Sequence, residues 1–306
     1  MRLGYFLPQI GPAATPENIV SVAQRAEELG FATVWVTERL LYPTNPRTPY
    51  AGTPDGSMPD AYKRVFDPIE SLTFVAAKTS RIRLGTSVLD IPYYNPIMLG
   101  RRFTTLDVLS GGRLTIGLGL GWSEDEHEAM NAPMKGRGAQ ADEFIDALKV
   151  VMAEDLVEFS GKHYKIAQSV IELSSVQKPW PPIYLAAFTP GALRRVALKA
   201  DGWHPVAIPA EGVRQMWDGI RSMAKEAGRK PDELKLIYRA NLTVTDKPID
   251  GDRFPFTGSW EQIASDVPAI KALNPEEFCF DPTFSPEGGT VEGFLTALAK
   301  VKEIAA

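Results

Sequence analysis

The chain has 306 residues, of which 44% are hydrophobic and 23% are charged, values typical of a globular protein with ample apolar material for a core. The formal net charge of -5 gives no reason to expect a nucleic acid or an anionic membrane as partner. The one cysteine, Cys279, excludes an intrachain disulfide and a metal cluster built on cysteines.

The first ten residues, MRLGYFLPQI, are strand-like and do not place a basic segment before a long apolar one, so we expect no signal peptide. No apolar run reaches the roughly 18 residues that a membrane-spanning helix needs. We therefore expect a cytoplasmic protein.

Short apolar runs alternate with amphipathic helical stretches along the whole chain. The predicted strands cover residues 3–7, 32–36, 82–88, 113–118, 183–187, 202–206, 236–244 and 277–280. The predicted helices cover residues 16–29, 68–79, 96–109, 140–152, 191–199, 211–227, 260–273 and 291–304. Eight strand–helix pairs predict an α/β fold, a (β/α)8 TIM barrel, because an open doubly wound sheet usually has fewer units and a clearer early glycine-rich turn.

Two insertions, after strands two and four, interrupt this single barrel domain of residues 1–306. Residues 40–67 carry five prolines and two glycines with little apolar periodicity. Because they follow strand two, they belong to the end of the barrel where such enzymes keep their sites, and we expect a lid there or, alternatively, a contact with a partner subunit. Residues 155–180 contain two short strand-like runs around SGKH, which predict an inserted hairpin.

Three stretches carry a family resemblance. They are IRLGTSVL at 82–89, TTLDVLSGGRLTIGLGLGW at 104–122 and LAAFTPGALRRVALKADGWHP at 185–205. In order and spacing they resemble the luciferase-like monooxygenase superfamily, in particular its F420-dependent oxidoreductase branch. The glycines of GLGLG imitate half of a dinucleotide fingerprint, but no acidic residue follows at the required distance in a βαβ unit, so we discount a Rossmann fold.

The resemblance implies that the barrel binds coenzyme F420, with FMN as the alternative, and that hydride passes between the cofactor and a small organic substrate. It also implies a non-proline cis peptide bond at Ser87–Val88 that backs the cofactor ring, where the alternative is an ordinary strand end. Gly119 and Gly121 would let backbone approach the cofactor, with Trp122 beside it or in the pocket wall. The alternative for these three residues is a tight turn with a tryptophan at the rim.

The turn from strand five into its helix joins small residues and a hydroxyl to a helix N-terminus. Backbone N–H groups at such a place form an anion site. By resemblance, Ala187, Phe188, Thr189 and Gly191 would hold the cofactor's phosphate. Thr189 as a simple N-cap is compatible with this role, because capping and phosphate binding use the same donors.

Thr37, Glu38 and Arg39 end strand two, where many family members have an acidic residue followed by histidine beside the cofactor ring. By resemblance, Thr37 would contact the cofactor. Arg39 replaces the histidine and keeps its proton at any working pH, so Glu38 is the candidate acid or base. Arg39 is expected to clamp a carboxylate or phosphate, or to stabilise negative charge on the reduced ring or the substrate. A surface ion pair between Glu38 and Arg39 is the structural alternative.

Other polar residues are expected to have structural roles. The acidic run at 124–128 contains a histidine and offers metal-ligand chemistry, but we favour a hydrated first helical turn. His204 is expected to be a satisfied structural histidine, Arg113 a residue of the barrel floor and Cys279 a small core residue.

Two rival functions remain at this point. One is an FMN-dependent monooxygenase that receives reduced flavin from a separate reductase. The other is a degenerate barrel that binds flavin without turnover, which the missing histidine suggests. Because barrels of this family commonly pair, we also expect a homodimer.

Overall fold

A computed structural model describes residues 1–53 and 55–305 of the chain. Its strands are β1 Arg2–Phe6, β2 Thr33–Val36, β3 Arg83–Thr86, β4 Leu89–Asp90, β5 Leu114–Gly119, β6 Leu156–Ser160, β7 Lys165–Val170, β8 Ile183–Leu185, β9 Gly202–Trp203, β10 Lys235–Asn241, β11 Thr243–Val244, β12 Thr257–Gly258 and β13 Glu277–Asp281. Its α-helices are α1 Pro16–Glu28, α2 Pro68–Ala76, α3 Pro96–Ser110, α4 Glu124–Ala129, α5 Arg137–Ala153, α6 Pro190–Lys199, α7 Ala210–Glu226, α8 Trp260–Lys271 and α9 Val291–Ile304.

The parallel sheet closes on itself. The order of its strands is β3-β2-β1-β13-β10-β9-β8-β5, and pairing of β3 with β5 completes the ring. β4 continues the line of β3 and also pairs with β5. The eight-stranded parallel barrel with surrounding helices confirms the predicted TIM-barrel fold.

Side chains that alternate along the strands fill the barrel. Phe6, Trp35, Tyr184, Ile237 and Cys279 form a cluster of buried residues, so the expectation for Cys279 is confirmed. The Trp35 indole fills the space that a Cβ on Gly4 of β1 or on Gly85 of β3 would need. This explains why both positions are glycine. Trp35 Nε1 donates to Glu277 Oε1 at 2.7 Å.

Arg113 lies at the opposite end of the barrel from the site described below. Its guanidinium donates to the carbonyl oxygens of Ser110, Ile82 and Ala76 at 2.7–2.9 Å. The predicted structural role is therefore confirmed.

The structure differs from the predicted elements in several places, among them the predicted strand 202–206, which ends at Trp203. The predicted strand 236–244 is two strands, because the Leu242 N–H turns to the carbonyl of Asp281 and β11 then pairs with β12 outside the barrel. The predicted strand 82–88 ends at Thr86, before a cis peptide bond between Ser87 and Val88. The predicted helix 68–79 ends at Ala76.

Both predicted insertions can be located. β6 and β7 pair antiparallel and confirm the hairpin. Among the described residues of 40–67, a 3-10 turn at Asp60–Lys63 is the only helical element, and Pro54 lies outside the described residues. Gln9 joins the chain before this segment to its far end, because its Nε2 donates to the carbonyls of Thr37 and Phe66 at 3.0 and 2.9 Å.

No helix within residues 1–53 and 55–305 has the length and apolar character needed to cross a bilayer.

Candidate functional site

The carboxyl ends of the barrel strands bring the predicted catalytic residues together. Thr37, Glu38 and Arg39 follow β2, Ser87 and Val88 lie between β3 and β4, and Gly119 ends β5. Since neighbouring strands are parallel, these residues share one end of the barrel, which we call the mouth.

Glu38 is a buried carboxyl, 8% exposed, that faces other polar groups. Its Oε2 accepts the N–H of Asp90 at 2.8 Å, and its Oε1 accepts the hydroxyl of Tyr94. Burial, and next the neighbouring Asp90, raise the pKa of Glu38 to about 8. A carboxyl that stays protonated near neutral pH can give a proton to a substrate.

Arg39 is buried as well, and it pairs with Glu126 rather than with Glu38. The surface-pair alternative is therefore wrong. The guanidinium carbon of Arg39 lies 4.8 Å from the centre of the Trp122 ring and 5.7 Å from that of Tyr62. Both rings are close enough for cation–π attraction, which helps to hold the Arg39 side chain in place.

Glu126 fixes the start of the 40–67 segment to the barrel. Its Oε1 accepts the N–H groups of Leu40 and Leu41 at 2.7 and 3.0 Å, while its Oε2 pairs with Arg39. The carboxylate thus neutralises the arginine and orders the chain that follows it.

The Ser87 carbonyl oxygen is held by two donors. Thr37 Oγ1 lies 2.6 Å away and Arg239 Nη1 lies 3.0 Å away. Arg239 in turn pairs with the buried Asp281 at 2.5 Å. The cis peptide bond that the resemblance implied is present between Ser87 and Val88.

His204 is a satisfied structural histidine, as expected. Its Nδ1 lies 2.9 Å from the carbonyl oxygen of Ile237 and its Nε2 lies 2.7 Å from Ser87 Oγ. Burial lowers its pKa to about 4. The ring is therefore neutral near pH 7, with Nδ1–H donating to Ile237 and Nε2 accepting from Ser87.

The glycines after β5 make room for protein side chains. A Cβ on Gly119 would lie 2.6 Å from Val88 Cγ2 and 2.7 Å from Asp90 Oδ1. Gly121 has a φ of +69°, and a Cβ there would lie 2.7 Å from Tyr93 Oη. Close packing in the turn is thus sufficient to explain why both residues are glycine. A contact between them and a cofactor stays a prediction.

The predicted phosphate turn lies at the same barrel end, after β8. Thr189 is the N-cap of α6 and accepts the N–H of Ala192 at 3.4 Å, as expected. Phe188, Thr189 and Gly191 are exposed, whereas Ala187 is buried and its carbonyl accepts Trp203 Nε1 at 3.0 Å. A Cβ on Gly191 would meet nothing within 4 Å, so space is open in front of this helix end.

The acidic run at 124–128 is only partly hydrated, which corrects the expectation. Glu126 and His127 are 1% and 2% exposed, because α4 packs its inner face under the 40–67 segment and against Tyr93. Within the described residues, no group of three or more histidine, cysteine or acidic side chains is arranged to hold a metal.

Sequence reasoning missed five residues that complete the site: Asp90, Tyr94, Glu126, Arg239 and Asp281. For Arg239 a signal existed, namely a lone charge inside the apolar strand LIYRAN. A charged residue in the interior of a predicted barrel strand points inward to a polar partner.

Buried acid, base and aromatic groups at the carboxyl end of a closed parallel barrel have the arrangement of a barrel enzyme. The sequence model of the luciferase-like monooxygenase family matches residues 1–250, and the chain belongs to this family.

Its relatives include an uncharacterized protein of Mycobacterium tuberculosis, 34% identical over 239 residues that cover 74% of this chain and 84% of that protein. The F420-dependent glucose-6-phosphate dehydrogenase of Kineococcus radiotolerans is 28% identical over 283 residues, covering 87% of this chain and 76% of that enzyme.

Solved structures share the fold. A monooxygenase from Streptomyces bottropensis matches with a TM-score of 0.79 at 22% identity, covering 99% of this chain and 98% of that chain. The F420-dependent tetrahydromethanopterin reductase of Methanopyrus kandleri matches with a TM-score of 0.78 at 18% identity, covering 99% and 97%. The relatives together support an oxidoreductase of a family that uses F420 or flavin.

Proposed function

We propose that this protein is an F420-dependent oxidoreductase that passes hydride between the deazaflavin ring and an uncharacterised organic substrate. The observation that carries the proposal is Glu38, a buried carboxyl at the barrel mouth whose pKa is raised to about 8. The F420-dependent relative from Kineococcus radiotolerans, similar over 87% of this chain, favours F420 over FMN.

The residues of the mouth fit a flavin-type ring by their chemistry. Ser87 and Val88 supply backbone whose position is fixed by Thr37 and Arg239, and Trp122 supplies an aromatic face. The exposed N-terminus of α6 with open space at Gly191 suits the cofactor's phosphate. When bound, F420 supplies a ring carbon that gives or takes hydride.

Glu38 would complete the transfer with a proton. As a carbonyl or alkene substrate is reduced, hydride adds to carbon and the Glu38 carboxyl gives its proton to the other atom of the double bond. In the oxidation direction, ionised Glu38 takes the proton back. Tyr94 and the Asp90 N–H hold the carboxyl in one orientation for this step.

The segment 40–67 would shield the reaction from water as a lid. Its Tyr50 packs on Trp122 with ring centres 5.6 Å apart, and its Tyr62 packs on Phe284 at 5.0 Å. Exclusion of water strengthens every hydrogen bond and charge interaction beneath it.

A homodimer stays a prediction, and a measurement of the protein's mass in solution tests it.

A fluorescence titration of the purified protein with F420 and, separately, with FMN tests the proposal. Tight binding of F420 together with weak binding of FMN is expected. Binding of FMN alone would instead assign the protein to the oxygen-activating, FMN-dependent branch. Binding of neither would contradict both enzyme functions.

A further inference from the structure

Arg39 is a buried cation whose charge is already neutralised inside the protein. The side chains of Arg39 and Glu126 are 4% and 1% exposed. Glu126 is itself fixed by the N–H groups of Leu40 and Leu41. The sequence predicted that Arg39 clamps a carboxylate or phosphate of the substrate. In the structure the carboxylate of Glu126 already occupies that place beside the guanidinium.

One donor of Arg39 nevertheless has no partner. Its Nε is buried and makes no hydrogen bond among the described residues. A buried donor without a hydrogen-bond acceptor is unfavourable, and such a group in a native protein indicates an acceptor that comes from outside the chain. The Nε–H bond of Arg39 lies in the plane of its guanidinium, so an acceptor has to approach in that plane, near the rings of Trp122 and Tyr62.

The other buried arginine that the structure describes at the mouth is neutralised as well. Arg239 is paired with Asp281, and Glu38 and Asp90 add two further carboxyl groups. Burial raises the pKa of Asp90 to about 6, so this group is still mostly ionised at pH 7. An anionic substrate buried here would lie near the ionised Asp90 while both buried arginines are already paired, which is unfavourable at low dielectric.

We propose that Arg39 Nε donates a hydrogen bond to an uncharged oxygen of a flat substrate, and that Glu126 makes the mouth select such neutral compounds against phosphates and carboxylates. The proposal rests on the proposed function, whose substrate class it names. A neutral carbonyl oxygen satisfies the free donor without adding charge, and the rings of Tyr62 and Trp122 suit a planar molecule.

Benzamide and benzoate test the selection on the wild-type protein, because they have the same shape and differ in charge at pH 7. Calorimetric titration is expected to give benzamide an affinity at least about tenfold above that of benzoate, since like charges placed close together repel each other. Benzoate binding as tightly as benzamide, or no binding of benzamide, would overturn the proposal.

Glu126→Gln tests the cause of the selection. The amide has the size of the carboxylate and keeps an oxygen that accepts the N–H groups of Leu40 and Leu41. It carries no charge, so the charge of Arg39 is no longer compensated. Affinity for benzoate and for inorganic phosphate is expected to rise about tenfold or more. Glu124→Gln makes the same charge change at an exposed position of the same helix and should change neither affinity.

The outcomes separate this inference from the function on which it rests. If Glu126→Gln gains no more affinity for benzoate than Glu124→Gln does, selection by Glu126 is contradicted, whatever the cofactor. If the wild-type protein prefers benzamide but binds neither F420 nor FMN, the neutral site stands and the proposed oxidoreductase function fails.

Discussion

The Tyr94 hydroxyl donates a hydrogen bond to Glu38 Oε1, across 56 residues of sequence, while the backbone of Asp90 donates to the other carboxyl oxygen. Both donors favour the ionised form, yet burial outweighs them and the pKa of Glu38 is still raised to about 8. The mouth therefore holds a proton that is available near neutral pH.

Glu38→Gln should lower kcat by about 10²–10⁴-fold, the usual contribution of a general acid or base. The substrate for this assay is any compound that the wild-type protein turns over with reduced F420. Glu124→Gln, an exposed residue with the same change of charge, should leave the rate unchanged. Equal rates for wild type and Glu38→Gln would contradict a role for Glu38 in proton transfer.

The rate of substrate reduction should depend on pH through Glu38. The protonated carboxyl is the donor and predominates below its pKa of about 8, so the rate is expected to fall as the pH rises through 8. Tyr94→Phe removes a donor to the ionised form, so the pKa should rise and the falling limb should move to higher pH. Tyr42→Phe, which removes an exposed hydroxyl that bonds Asp60, should leave the profile in place.

Arg239 should be important for stability as well as for the position of Ser87. Arg239→Leu leaves the buried carboxylate of Asp281 unpaired, and the free energy of unfolding in urea should drop by about 3–5 kcal/mol. Arg221→Leu breaks an exposed ion pair with Asp232 and should cost about 0–1 kcal/mol. If the two variants lose similar amounts of unfolding free energy, the Arg239–Asp281 pair contributes no more to stability than an exposed ion pair does.

Gly191→Asp should weaken F420 binding without loss of stability. A side chain fits there because the Cβ meets nothing, and a carboxylate is favourable at a helix N-terminus. The same carboxylate would repel the cofactor's phosphate. Gly219→Asp, also in open space but within α7, is the matched control for fluorescence titration, and equal F420 affinities for the two variants would place the phosphate elsewhere.

Local patterns made most of the fold predictable. Thr15 and Thr189 are N-caps with proline at the next position, and both helices begin there in the structure. Capping depends on neighbours within one turn, so the sequence contains the whole signal. The barrel followed because eight such units in one chain leave few other ways to bury their apolar faces.

Long-range partners in the site were not predictable in the same way. Arg39 and Glu126 are 87 residues apart, and nothing local distinguishes Glu126 from the other acids of its run. Its burial arises only when α4 lies under the chain that follows β2. For the same reason the sequence could not show that Arg39 pairs with Glu126, and the alternative of a surface ion pair between Glu38 and Arg39 is wrong.

Infrared difference spectroscopy of F420 binding tests the central claim most directly, because it observes the cofactor and Glu38 in one experiment. Binding of F420 is expected to shift a protonated-carboxyl stretch at pH 7, and this signal should be missing in Glu38→Gln. F420 that does not bind, or that binds with an identical carboxyl spectrum in wild type and Glu38→Gln, would contradict the account.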